Sequence, residues 1–163
     1  MNIESLAILV GESLAARGWM LAVAESCTGG GIAAALTDIA GSSHWFERGF
    51  VTYSNESKQE MLGVSAHTLA EFGAVSEATV REMVQGALLH SRAQVALAVS
   101  GIAGPGGGTL DKPVGMVCFA WGVKGVEIVS RTEYLHGNRA SVRAQSVAAA
   151  LQGVLDVVAA SQR

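Results

Sequence analysis

Val95-Ala96-Leu97-Ala98-Val99 carries no polar side chain and runs straight into Ser100-Gly101-Ile102-Ala103-Gly104-Pro105-Gly106-Gly107-Gly108-Thr109. A strand of this kind has no face to give to water, so helices must cover both sides of its sheet. The same arrangement occurs earlier. A short apolar run, Met20 to Val23, precedes Ala24-Glu25-Ser26-Cys27-Thr28-Gly29-Gly30-Gly31 and an Ala-rich helical segment. Two strands ending in small polar residues and glycines place two loops at the carboxyl edge of an open α/β sheet, where ligands bind.

The remaining periodicity fills in the layers. Ile3, Leu6, Ala7, Val10 and Leu14 recur at helical spacing and predict a helix over 3–17, ended by Gly18. Trp19 to Ala24 reads as the first strand, Gly29 to Ile39 as a helix and Gly49 to Ser54 as the second strand. Polar Asn55-Glu56-Ser57-Lys58 follows, then Gln59 to Leu62, a short helix at Ser65 to Glu71, and a longer one N-capped by Ser76. After the strand Gln94 to Val99 come Val114 to Val123 and Val126 to Tyr134. Lys124-Gly125 reads as a two-residue hairpin connection between them, and a long helix over Arg139 to Ala159 closes the pattern. The expectation is one domain over 1–163, a three-layer α/β/α sandwich. Its sheet is mixed and mostly parallel, with a C-terminal β-hairpin before the last helix.

Composition excludes several classes. No apolar run approaches the roughly 20 residues of a membrane span, and no secretory leader pattern opens the chain, so a cytoplasmic setting without membrane contact is expected. A net charge of −3 with only 11 lysines and arginines argues against a nucleic-acid-binding surface. The two cysteines, Cys27 and Cys118, have neither disulfide-framework nor metal-ligand spacing. No metal or cofactor is indicated. Low charge and abundant Ala, Val and Gly suggest buried surface that includes a subunit interface.

The candidate chemistry lies at the strand ends. The loop Gly101 to Gly108 lacks the Lys-Ser/Thr of a Walker A loop and does not open a helix, which disfavours a nucleoside triphosphatase. The turn at Ser26, Cys27 and Thr28 offers three potential nucleophiles or donors. The following helix N-terminus offers amides for an anion or an oxyanion; a plain turn capped by Thr28 is the alternative. His44, His67, His90 and His136 sit in no motif that marks a base. Lys58 follows the second strand at the same sheet edge as Ser26. As a base at neutral pH its pKa must fall by roughly 3 units, about 4 kcal/mol, which demands burial or a neighbouring cation. A solvated lysine at a helix start is the competing reading. Arg139 and Arg143, four apart on the last helix, suit either an anion grip or an ordinary polar face.

Five blocks together resemble one family. They are Ala24-Glu25-Ser26-Cys27-Thr28-Gly29-Gly30, Gly49 to Lys58, Gly73-Ala74-Val75-Ser76, Ser100 to Gly107 and Gly137-Asn138-Arg139. The chain resembles the CinA C-terminal-domain family, the nicotinamide mononucleotide deamidases, in its stand-alone form. The resemblance implies hydrolysis of the carboxamide of nicotinamide mononucleotide to nicotinate mononucleotide and ammonia, in pyridine nucleotide salvage. It implies Ser26 as nucleophile, Lys58 as its base and Tyr53 as an orienting or relay group. Thr28, Gly29, Gly30, Ser100, Gly101, Gly104 and Arg139 would meet substrate, and a homodimer is expected. Two other readings stay open: Cys27 as nucleophile, and a non-catalytic nucleotide-binding or interaction module linked to competence or DNA damage.

Overall fold

The computed structural model describes residues 1–161. Five strands form one mixed sheet in the order β2-β1-β3-β4-β5: β1 (Leu21–Glu25), β2 (Phe46–Val51), β3 (Val95–Gly101), β4 (Met116–Val123) and β5 (Val129–Tyr134). β1 is parallel to both β2 and β3, while β4 is antiparallel to β3 and to β5. Four strands therefore point one way and β4 opposes them, because the 102–115 loop returns the chain without a crossover helix.

Among the described residues six α-helices cover the sheet: α1 (Ile3–Arg17), α2 (Gly31–Thr37), α3 (Asn55–Leu62), α4 (Ala66–Phe72), α5 (Glu77–Leu89) and α6 (Arg139–Ala160). The expected sandwich follows from side-chain alternation within the apolar strands. Val95, Leu97 and Val99 join Val23, Phe119 and Trp121 in one core, with Leu6 and Leu14 of α1 and Leu151 of α6. Ala96 and Ala98 face the other way, with Ala22, Ala24 and Ala120, against Val80, Met83 and Val84 of α5. The alanine face lets α5 lie close to the sheet.

Several boundaries differ from the sequence pattern. β2 starts and ends earlier than Gly49 to Ser54, because it pairs with β1 from Leu21↔Phe46 and because Ser54 turns out to cap α3, accepting from Ser57 N–H at 3.0 Å. That cap also starts α3 at Asn55 rather than Gln59. β1 starts at Leu21, not Trp19. α2 starts at Gly31, since Gly29 and Gly30 hold left-handed φ of 58° and 100°, and it ends at Thr37. The Lys124-Gly125 turn is not a tight two-residue hairpin: the register Trp121↔Val129 leaves 124–128 between the strands.

From β1 the chain passes through α2 to β2 on one side and through α3, α4 and α5 to β3 on the other. The crevice at the carboxyl ends of β1 and β3 is thus the topological switch point of the sheet. Ser26 N–H extends the ladder there, donating to Val99 O at 3.1 Å.

Candidate active site

A cleft of about 230 Å³ opens at this switch point, lined by residues that include Ser26, Cys27, Tyr53, Lys58, Ser100 and Arg139. Ser26 comes from the turn after β1, Lys58 from the second turn of α3, and Ser100 from the end of β3. Tertiary folding joins positions 32 residues apart: Lys58 Nζ lies 3.0 Å from Ser26 Oγ.

Lys58 is buried to 1 % exposure, so the solvated-lysine reading does not hold. It makes no ion pair among the described residues. Burial pushes its pKa below the ordinary 10.5, opposed by the nearby Cys27 thiol. Its Nζ donates to Thr52 O at 2.7 Å and to Tyr53 O at 3.3 Å. A neutral amine has two N–H bonds and one lone pair. With both N–H bonds on these carbonyls, the lone pair is left for the Ser26 hydroxyl. This geometry suits proton abstraction from serine.

Cys27 is a poor rival. Desolvation raises its pKa to about 11, so it is a neutral thiol at pH 7 and no histidine lines the cleft to activate it. His90 Nδ1 lies 2.9 Å from Gly86 O, and His67 pairs with Glu71.

The helix N-terminus is not open to an outside anion. Glu25, fully buried, fills it with the chain's own carboxylate: Thr28 Oγ1, Gly30 N–H, Ile32 N–H and Ala33 N–H donate to it at 2.5, 3.2, 3.0 and 2.9 Å. Gly29 N–H donates to Ser26 O at 3.0 Å. The groups of Thr28, Gly29 and Gly30 expected to meet substrate through this helix start are therefore largely taken, and none of the three lines the cleft. Gly30, not Thr28, is the N-cap. Within the turn, the amides of Cys27 and Thr28 donate to no carbonyl among the described residues, and the Cys27 amide faces its own thiol.

Ser100 is 1 % exposed and Gly101 adjoins it, both on the cleft wall. Gly104 stands behind: its carbonyl accepts from Arg139 Nη1 at 2.9 Å. Arg139 Nη2 also donates to Tyr53 Oη at 3.3 Å, so the arginine and tyrosine meet at the mouth of the cleft. Three residues with no role assigned from sequence emerge: Glu25 behind the turn, and Ala74 and Val75 on the cleft wall. An acidic side chain just before a glycine-rich helix start is the signal that could have identified Glu25 as a cap. Among the described residues no cluster of three or more His, Cys, Asp or Glu occurs, and no helix is long and apolar enough to cross a membrane.

A family model described as "CinA C-terminal domain" matches residues 3–158. The nicotinamide-nucleotide amidohydrolase PncC of Enterobacter agglomerans is 51% identical over 154 residues, covering 94% of this chain and 94% of that one. The Escherichia coli protein of the same name is 57% identical over 143 residues, 88% of this chain and 87% of that one. Among solved structures, the competence/damage inducible protein CihA of Agrobacterium tumefaciens superposes with a TM-score of 0.93 at 46% identity, covering 96% of each chain. Competence damage-inducible protein A of Klebsiella pneumoniae gives 0.95 at 42% identity, over 99% of this chain and 100% of that one.

Proposed function

This chain belongs to the CinA C-terminal domain family, and from that premise we propose that it hydrolyses the carboxamide of nicotinamide mononucleotide, releasing nicotinate mononucleotide and ammonia. The observation that carries the mechanism is the contact between Ser26 Oγ and a buried Lys58 Nζ without an ion pair. The names of the amidohydrolase relatives support the substrate.

Ser26 Oγ attacks the amide carbonyl carbon while neutral Lys58 takes the hydroxyl proton. The oxyanion is held by the Cys27 amide on the cleft wall, the residue after the nucleophile being a common donor position. Lys58 then returns the proton to the departing nitrogen and ammonia leaves. Water, deprotonated by Lys58, attacks the acyl-serine ester; Lys58 returns that proton to Ser26 Oγ as the C–O bond breaks, and the released acid ionises to the carboxylate. The Ser100 hydroxyl binds the substrate from the β3 side. At about 230 Å³ the cleft is below the roughly 300–1,000 Å³ usual for small-molecule pockets, so it encloses the carboxamide end. The phosphate extends to the mouth, toward Arg139 and the α6 N-terminus. A cytoplasmic setting and a homodimer belong to the same proposal.

Incubation with nicotinamide mononucleotide, free nicotinamide and the dinucleotide, with ammonia as readout, tests the substrate. Turnover of the mononucleotide alone is expected. Ser26→Ala should abolish release while calorimetric binding of the mononucleotide survives. Full activity in that variant removes the mechanism, and binding without turnover in the unaltered protein favours a non-catalytic module instead.

A further inference from the structure

Arg143 stands one helical turn beyond Arg139 on α6 and serves a different part of the site. Its Nε donates to Cys27 O at 3.1 Å and its Nη2 to Thr28 O at 3.0 Å. It makes no ion pair among the described residues and does not line the cleft. We propose that Arg143 is a positioning residue, which holds the turn carrying Ser26 so that the hydroxyl meets Lys58. The proposal rests on the reading of Ser26 as nucleophile.

Three features support it. The planar guanidinium fork spans two successive carbonyls of one turn, a bidentate grip that a lysine cannot reproduce. Gly29 is shaped to admit it: its φ is 58°, and a Cβ there would sit 3.3 Å from Arg143 Nη2. Glu25 holds the same loop at the Thr28 hydroxyl and the Gly30 amide while Arg143 holds it by two carbonyls, so 26–30 is fixed between an anion and a cation. In a trans peptide the C=O and N–H point oppositely. Drawing Cys27 O toward Arg143 therefore turns the Thr28 N–H away from it.

The test compares Arg143→Met and Arg143→Lys with the unaltered protein. For Met, kcat on nicotinamide mononucleotide should fall by roughly 10–100-fold, as expected for a misplaced reacting group, with KM little changed. Lys should restore part of the loss. The rising limb of the pH profile, set by Lys58, should keep its midpoint. A second readout is independent of substrate. A fluorophosphonate forms a Ser26 Oγ–phosphorus bond, expels fluoride and passes the serine proton to Lys58. Its labelling rate, followed by mass spectrometry, should fall in parallel with kcat.

A raised KM with unchanged kcat would make Arg143 a substrate ligand and overturn the proposal, as would equal labelling rates. If Arg143→Met is unfolded by circular dichroism, Arg143→Lys decides alone. A protein labelled at Ser26 that releases no ammonia refutes the substrate, while slower labelling of the variants still upholds the role of Arg143. Absence of both labelling and turnover in the unaltered protein defeats both readings.

Discussion

Burying a lysine without a carboxylate disfavours its charged form and costs the fold, and Lys58 is such a group. Because its folded pKa lies below 10.5, the cost is fully present below that folded value and is relieved as pH rises from there to 10.5. Lys58→Met should therefore stabilise the protein at neutral pH, by about 0.5–2 kcal/mol. In urea unfolding the gain should shrink as pH approaches the free-lysine value; a variant less stable than the parent at pH 7 contradicts this. The same substitution should reduce kcat/KM by about 10²–10⁴-fold. In the parent, kcat/KM should rise with pH through the Lys58 pKa, and Lys58→Met should lose that limb. Cys27, with its pKa near 11, should resist iodoacetamide at pH 7. Substrate-protected inactivation by that reagent would reinstate it as nucleophile.

At the scale of elements, the site depends on how closely helices approach. α3 carries Lys58, and its end packs on α5 at Gly86, where a Cβ would lie 2.0 Å from Leu62 O. Gly86→Ala must push α3 away from α5. The expected cost is about 1–3 kcal/mol of stability in thermal denaturation, with a fall in kcat as Lys58 Nζ withdraws from Ser26. α2 depends on Glu25 in another way. Glu25→Gln turns an acceptor-only group into one that aims an N–H₂ at amide donors. It should cost about 1–3 kcal/mol and slow turnover by loosening the Ser26 turn.

Over the whole molecule, packing remote from the cleft should affect stability alone. Trp121 packs over Gly153 of α6, where a Cβ would meet the indole at 2.0 Å, and its Nε1–H donates to Ala150 O at 2.9 Å. Neither Trp121 nor Gly153 lines the cleft at Ser26 and Lys58. Gly153→Ala should lower the melting temperature through overpacking of about 1–3 kcal/mol, while kcat of the folded protein stays unchanged. A matching fall in kcat would show that α6 transmits strain to Arg139 and Arg143.

The layer order was legible because it is written in local patterns. An apolar run such as Val95 to Val99 must be covered on both faces, and caps such as Ser76 and Gly18 act on their own neighbours. Ser26 and Lys58 were candidates by type and by position at strand ends, yet residue type does not distinguish a solvated lysine from a buried one. That distinction depends on α3 folding over the end of β1, a contact across 32 residues. Glu25 was legible at most as a candidate cap, since the helix N-terminus that looked open to an anion is open only if no side chain of the same chain reaches it. The sequence by itself determined which residues could do chemistry and which strands had to be central, because these follow from side-chain chemistry and short-range periodicity. Only the tertiary structure decided which lysine is desolvated, which amides remain free and which arginine holds the turn, because desolvation and hydrogen-bond competition depend on what the rest of the fold brings near.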